Sequence, residues 1–129
     1  MNSLHPGHIR LYLASASPRR GELLAQLGLA YELLIQDIDE TRRESEAAET
    51  YVNRLALEKA RAALLDPAYT LPIPVLAADT TVVCDGAVLG KPDTEKDALA
   101  MLGKLSGRQH QVLTAICVIN KDQSLQTMV

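Results

Sequence analysis

Apolar residues in this chain fall into short runs and helical stripes, and most breaks between them carry a cap or turn signal. The run Ile9-Arg10-Leu11-Tyr12-Leu13-Ala14 is rich in aliphatic and β-forming residues and is bounded by small polar ones, so it reads as a strand. Ser17 then stands as an N-cap, Pro18 as the first helical residue, and Leu23, Leu24 and Leu27 as an apolar stripe that stops at Gly28. Tyr31 to Ile35 reads as a second strand, followed by the acidic loop Asp37-Ile38-Asp39-Glu40 and polar residues through Glu46. A long helix comes next, in which Val52, Leu55, Ala56, Ala60 and Ala63 recur at helical spacing and mark a buried face; it should end near Asp66-Pro67.

Beyond Pro72 and Pro74, Val75-Leu76-Ala77-Ala78 is a continuous apolar run, as expected of a strand buried on both faces, and it ends on Asp79. Thr81 to Cys84 and Ala87 to Leu89 flank Asp85-Gly86, a strong two-residue hairpin signal. Asp93 or Thr94 can cap a helix carrying Ala98, Met101, Leu102 and Leu105, with Gly107 as its stop. Gln109 to Ile119 reads as a long strand, Asn120 to Gln123 as a turn, and Ser124 to Val129 as the opening of another strand. That last strand has an apolar end and would leave an edge in need of a partner. No repeat, low-complexity segment or linker divides the chain. Residues 9–129 are therefore expected as one domain behind a mobile leader, 1–8, with the C-terminal part of the domain missing.

Composition narrows the function classes. At 129 residues, 47% hydrophobic and 22% charged, the chain is long enough for a real core and is ordinary for a globular protein. It has no Phe, no Trp and four Tyr, so the core must be aliphatic and few rings are available to stack on bases. A formal charge of -3 gives no general attraction to polyanions, and nucleic acid is not the expected partner. No apolar run approaches the ~18 residues that span a bilayer, and Met1 to His8 lacks the apolar core of a signal peptide. No membrane partner is expected, and the cytoplasm is the default location. Cys84 and Cys117 each fall inside apolar stretches and form no Cys-x-x-Cys pair, so both are expected as buried free thiols. His5 and His8 lie in the leader and His110 stands alone on a strand, so all three are assigned structural roles.

Two features resist a purely structural explanation. Arg19 and Arg20 sit at the positive end of a helix macrodipole, where a cation loses roughly 0.3–1 kcal/mol that an anion would gain. A docked phosphate removes that penalty: free N–H groups at the helix start donate to it, Ser15 and Ser17 add hydroxyls, and a guanidinium clamps it. The alternative is that both arginines simply point into water, but Arg20 continues the stripe of Leu23, Leu24 and Leu27. Lys59 is the second feature, because it shares the apolar stripe of Leu55, Ala56 and Ala63. It is either paired in a site or snorkelling to water over its own stem. Truncating it is expected to weaken phosphate binding more than folding, since little would be left unsatisfied. Asp79, at the mouth of a buried strand, has the placement of a catalytic carboxylate in α/β proteins, with helix capping and loop hydrogen bonding as the common alternatives.

Taken with Glu58-Lys59-Ala60, Ala78-Asp79-Thr80, Gly90-Lys91-Pro92 and Leu105-Ser106-Gly107, the segment Ser15-Ala16-Ser17-Pro18-Arg19-Arg20 resembles the Maf family of nucleoside triphosphate pyrophosphatases. The motifs occur in order over nearly all of the chain beyond the leader. The resemblance implies an α/β fold: a single domain with a twisted mixed β-sheet flanked by helices, similar to inosine triphosphate pyrophosphatases. It implies hydrolysis of a nucleoside triphosphate to the monophosphate and pyrophosphate, with Mg²⁺ or Mn²⁺ as cofactor. The paired arginines Arg19 and Arg20 after Pro18, with Thr80 after Asp79, are most similar to the branch that prefers dTTP and UTP. The branch acting on 7-methyl-GTP usually has a bulky residue in place of Arg19. A different alternative is a nucleotide-binding or septum-regulating module that does not hydrolyse. Carried over residue by residue, Asp79 is the proton acceptor for the attacking water, and Ser17, Arg20, Lys59 and Lys91 are triphosphate ligands, with Ser15 beside them. Glu40 is the partner carboxylate, Arg19 and Thr80 lie closer to base and sugar, and Glu40 and Asp79 are the candidate metal ligands. Which carboxylate holds metal and which serves as base stays open. Family members often pair, so a homodimer is among the implied partners. The family continues past this chain with an Ala-Gly-Ala-Tyr-Gly-Ile-Gln-Gly type segment that is not present here.

Overall fold

Strand β1 (Leu11–Leu13) runs parallel to both of its neighbours, β2 (Tyr31–Leu33) on one side and β3 (Val75–Cys84) on the other. In this computed structural model, residues 9–85, 87–89, 94–106, 110–120 and 124–128 are described. Helix α1 (Pro18–Gln26) links β1 to β2, and helix α2 (Ala48–Leu64) links β2 to β3, so the first half of the chain is a pair of parallel crossovers. The second half is antiparallel. β3 turns back into β4 (Ala87–Leu89) and, after α3 (Glu95–Leu105), pairs along its whole length with β5 (His110–Ile119), which pairs in turn with β6 (Ser124–Met128). The sheet order is β2-β1-β3-β5-β6, with β4 beside β3. This is the α/β, mixed-sheet architecture expected from the sequence.

The core is built from small and aliphatic groups. Val52, Ala56, Ala60 and Ala63 of α2 are fully buried, and they share a cluster with Tyr12, Ala14, Val75, Ala77, Ala115 and Cys117. Alanines at this interface let the helix backbone come close to the sheet, which is how a chain without Phe or Trp fills its interior. Because residues along a strand alternate faces, Val75 and Ala77 turn toward α2 together, and Asp79 follows them at the next step of the same parity. The Tyr12 hydroxyl accepts the backbone N–H of Leu71 at 3.1 Å and so fixes the loop that enters β3. Cys84 and Cys117 are buried and unbridged, and burial raises the Cys117 thiol pKa. Asp85 has φ 53°, in the left-handed region that two-residue hairpin turns use, and Cys84 faces Ala87 across it. Among the described residues, no helix is long and apolar enough to cross a membrane.

Several expectations are corrected. The strand containing Val75 does not end on Asp79 but continues to Cys84, because Thr80 to Cys84 still find partners on β5. The leucine stripe of α1 is narrower than its spacing implied. Leu24 is buried with Gly21, while Leu23 is 47% exposed and Leu27, at the C-cap just beyond this nine-residue helix, is 73% exposed. Leu102 of α3 is likewise exposed. The leader, Lys91, Asp93 and Gly107 lie outside the described residues.

Candidate functional site

β3 has two edges, and they are used differently. One is paired with β5 from Val75 to Cys84. The other is shared: β1 holds it at Val75 and Leu76, and β4 holds it at Val82, Val83 and Cys84. Between Leu76 and Val82 no described strand pairs with that edge, because β1 ends there and the chain turns off into α1. Ala78, Asp79 and Thr80 therefore stand at a break in the sheet, where α1 begins. Breaks of this kind, where the chain changes direction at the end of a strand, are where α/β proteins place ligands.

The alternation of β3 sends its polar residues to different helices. Asp79 is buried and meets α2: Lys59 Nζ lies 2.9 Å from Asp79 Oδ1, and the two side chains are only 13% and 9% exposed. Lys59 is thus paired rather than snorkelling to water. The consequence for truncation also changes, because removing this ammonium would strand a buried carboxylate. Thr80, the next residue, is exposed and meets α1. Arg20 Nη2 donates to Thr80 Oγ1 at 2.9 Å, while Arg20 Nη1 donates to Ser15 Oγ at 3.0 Å. One guanidinium therefore spans from the end of β1 to the middle of β3.

The helix start is arranged around Ser15 rather than Ser17. Ser17 holds the N-cap position with extended backbone (φ -76°, ψ 114°), yet its side chain makes no capping bond. Instead Ser15 Oγ accepts the Ser17 backbone N–H at 3.2 Å. Both hydroxyls and the opening turn of α1 thus lie beside the break in β3. Arg19 is exposed. Lys91 falls outside the described residues.

Glu40 enters through α2. Tyr51, Leu55 and Lys59 are spaced by four and share one helix face. The Tyr51 hydroxyl donates to the backbone carbonyl of Glu40, which brings the acidic loop onto that face. Burial raises the Tyr51 phenol pKa, and the charges of Asp79 and then Glu40 raise it further. Both carboxylates thus act on one phenol. Among the described residues, no group of three or more His, Cys, Asp or Glu side chains gathers. Asp79 and Glu40 each offer the oxygen ligands that a hard divalent cation takes, with water and phosphate oxygens able to supply the rest of its shell.

Sequence reasoning missed Tyr51, Glu46, Arg54 and Thr114. Tyr51 had a signal, its spacing of eight from Lys59 through Leu55. Thr114 had none: its hydroxyl is 3.0 Å from Thr80 Oγ1 because β5 pairs Thr114 with Thr80, a tertiary register. Glu46 is buried, and Arg54 holds it through Nε at 2.7 Å and Nη2 at 2.9 Å. That bidentate bond, with help from the Arg43 backbone N–H, lowers the Glu46 pKa from 4.5 to about 2.

Comparisons with known proteins give the family and the fold. The family described as Maf-like protein matches residues 10–129. A dTTP/UTP pyrophosphatase of Pectobacterium atrosepticum is 52% identical over 120 residues, which are 93% of this chain and 60% of that protein. A dTTP/UTP pyrophosphatase of Methylobacillus flagellatus is 54% identical over 114 residues, 88% of this chain and 56% of that one. The chain thus spans about 60% of the length of these curated relatives. In fold it is similar to a nucleoside-triphosphatase, or dITP/XTP pyrophosphatase, of Mycobacterium abscessus. There the TM-score is 0.59 at 16% identity, covering 94% of this chain and 71% of that one. It is also similar to the Ham1 protein of Staphylococcus aureus, with TM-score 0.57 at 17% identity over 92% and 68% of the two chains.

Proposed function

Because this chain belongs to the Maf-like protein family, we propose that it carries the catalytic half of a pyrophosphatase that hydrolyses dTTP and UTP to the monophosphate and pyrophosphate. The observation that carries this reading is the buried Lys59–Asp79 pair at the break in β3, with Arg20, Ser15 and the start of α1 reaching the same break through Thr80, the next residue. A carboxylate and several fixed cationic or N–H donors side by side are what attack on a polyphosphate requires.

In this reading the triphosphate lies along the start of α1. Backbone N–H groups there, with Ser15, Ser17, Arg20 and Lys91, bind its oxygens, and Arg20 exchanges its hydroxyl partners for phosphate. A water attacks the α-phosphorus, a new P–O bond forms, and the bond from that phosphorus to the bridging oxygen of the β-phosphate breaks. Asp79 receives the water's proton, and pyrophosphate departs with the bridging oxygen. Lys59 stays against the reacting centre, where charge grows during the step, so its contribution is larger in the transition state than in the ground state. Mg²⁺ or Mn²⁺ held by Asp79 and Glu40 would offset phosphate charge. Arg19 and Thr80 lie toward the base and sugar and select the pyrimidine nucleotide. The names of the relatives at 50% identity and above support dTTP and UTP as substrates. The same reading places the protein in the cytoplasm, where these nucleotides are used, and allows two copies to pair.

The test is product identity. The complete gene product, incubated with dTTP in ¹⁸O-water and Mn²⁺, should release dTMP carrying the label and unlabelled pyrophosphate. Release of dTDP and labelled inorganic phosphate would place the attack elsewhere and overturn the reading. Binding of dTTP without turnover would favour the non-hydrolysing module instead.

A further inference from the structure

The segment that carries Glu40 is held to α2 by more bonds than a surface loop needs. Arg54 is the hub. It grips the buried Glu46 carboxylate bidentately, donates to the Thr41 carbonyl at 3.0 Å through Nη2, and reaches Glu58 Oε2 at 3.2 Å through Nη1. Its guanidinium carbon lies 5.6 Å from the centroid of the Tyr51 ring, and Tyr51 in turn bonds the Glu40 carbonyl. The Arg42 guanidinium closes onto the Glu46 carbonyl, and Ser45 takes a positive φ of 60° to complete the turn. Residues 40, 41 and 46 are therefore all fastened to one helical turn of α2, between Tyr51 and Arg54. That turn is on the helix that carries Lys59, and Lys59 touches Asp79.

We infer that Tyr51 and Arg54 are positioning residues, which fix the Glu40 segment on the same rigid helix that presents Lys59 to Asp79. The inference rests on the function proposed above and extends it to residues that touch neither nucleotide nor reacting water. Two carboxylates that act together on one phosphate must keep a set separation, and a displacement of about 1 Å at such a site can cost 100-fold in rate. A loop fastened by its backbone at Glu40 and Thr41 keeps that separation whether or not substrate is present. Arg54 suits the task because its planar fork satisfies a buried carboxylate and a carbonyl in one geometry, which a lysine ammonium does not reproduce.

The experiment is a double-mutant cycle on dTTP hydrolysis by the complete gene product, with Tyr51→Phe and Arg54→Lys each made alone and in a Glu40→Gln background. Tyr51→Phe should lower kcat roughly 10- to 100-fold and leave KM for dTTP within about twofold, since the loop rather than the phosphate ligands has moved. Arg54→Lys should do the same. In the Glu40→Gln background either substitution should cost less than about twofold more, because both act through the group already removed. Equal fold-losses in the two backgrounds would overturn the inference while leaving the function intact. A KM that rises in step with a lost melting transition would do so as well. If Arg54→Lys fails to fold, Tyr51→Phe, which deletes one hydroxyl, decides the matter alone. Absence of turnover in the unsubstituted protein would overturn the proposed function, and this inference with it.

Discussion

Replacing Lys59 with methionine separates a surface ion pair from a buried one. Methionine keeps an unbranched apolar stem on the stripe of Leu55, Ala56 and Ala63 and removes only the charge. If the pair behaved as an exposed one, its loss would cost at most about 1 kcal/mol. The Lys59 and Asp79 side chains are 13% and 9% exposed and their charged atoms are 2.9 Å apart, so the buried case applies. Removing one partner of such a pair strands the other charge and costs about 3–5 kcal/mol. The lower end fits here, because the site opens on one side at the break in β3. Lys59→Met should therefore destabilise the fold by about 3 kcal/mol, or roughly 10 °C in melting temperature for a domain of this size. Adding Asp79→Asn removes the stranded charge, and the double variant should recover about 2 kcal/mol or more. Urea unfolding of the unsubstituted protein, Lys59→Met, Asp79→Asn and the double variant at pH 7 measures each value. A single-variant loss below about 1 kcal/mol, or a double variant no more stable than Lys59→Met, would refute the claim that this pair is buried and coupled.

Other outcomes follow from the same structure. Glu46 is held from 4.5 down to about 2 by Arg54, so its stabilisation is complete above pH 4.5 and drains away as the pH falls toward 2. Glu46→Gln should flatten that limb of a melting-temperature profile, and an unchanged acid limb would contradict the assignment. Arg20→Lys loses the fork that spans Ser15 and Thr80. It should weaken dTTP binding about tenfold by calorimetry while changing stability by less than about 1 kcal/mol, and equal affinity would remove Arg20 from the site. A Cβ on Gly21 would run into the Tyr31 phenol. Gly21→Ala should therefore cost about 1–2 kcal/mol despite its better helix propensity, with recovery when Tyr31 is also made Val; a stabilised single variant would show that this contact yields freely.

Local signals in the sequence reach as far as helical and strand periodicity extends. All five apolar residues assigned to the buried face of α2 are buried, because a 17-residue helix facing a sheet leaves its spacing little freedom. Asp85-Gly86 placed the β3–β4 hairpin for the same reason, a backbone requirement carried by two residues. What a single segment cannot encode is which element will lie against it. Leu23, Leu24 and Leu27 share one helical spacing, and only their surroundings in the fold decide that Leu24 alone is covered. Asp79 looked like a strand end because the apolar run stops there, whereas pairing with Ala115 carries the strand onward. At the site, Ser15, Arg20, Lys59, Asp79 and Thr80 were legible as residues out of place for structure alone or as a resemblance. Thr114 and Arg54 were not: Thr114 meets Thr80 through the register of two strands, and Arg54 is engaged by the irregular segment from Thr41 to Glu46, whose path no periodicity describes.

In the proposed function the carboxylate beside Lys59 performs the reaction rather than merely completing the core. Single-turnover mixing of excess Asp79→Asn protein with dTTP and Mn²⁺ tests that role, because neutralising the group removes the proton acceptor and metal ligand together while the phosphate ligands stay in place. Nucleotide should bind at least as tightly as in the unsubstituted protein, while pyrophosphate release falls by a factor of about 100 or more. Release within about tenfold of the unsubstituted rate would show that Asp79 serves the fold and not the reaction.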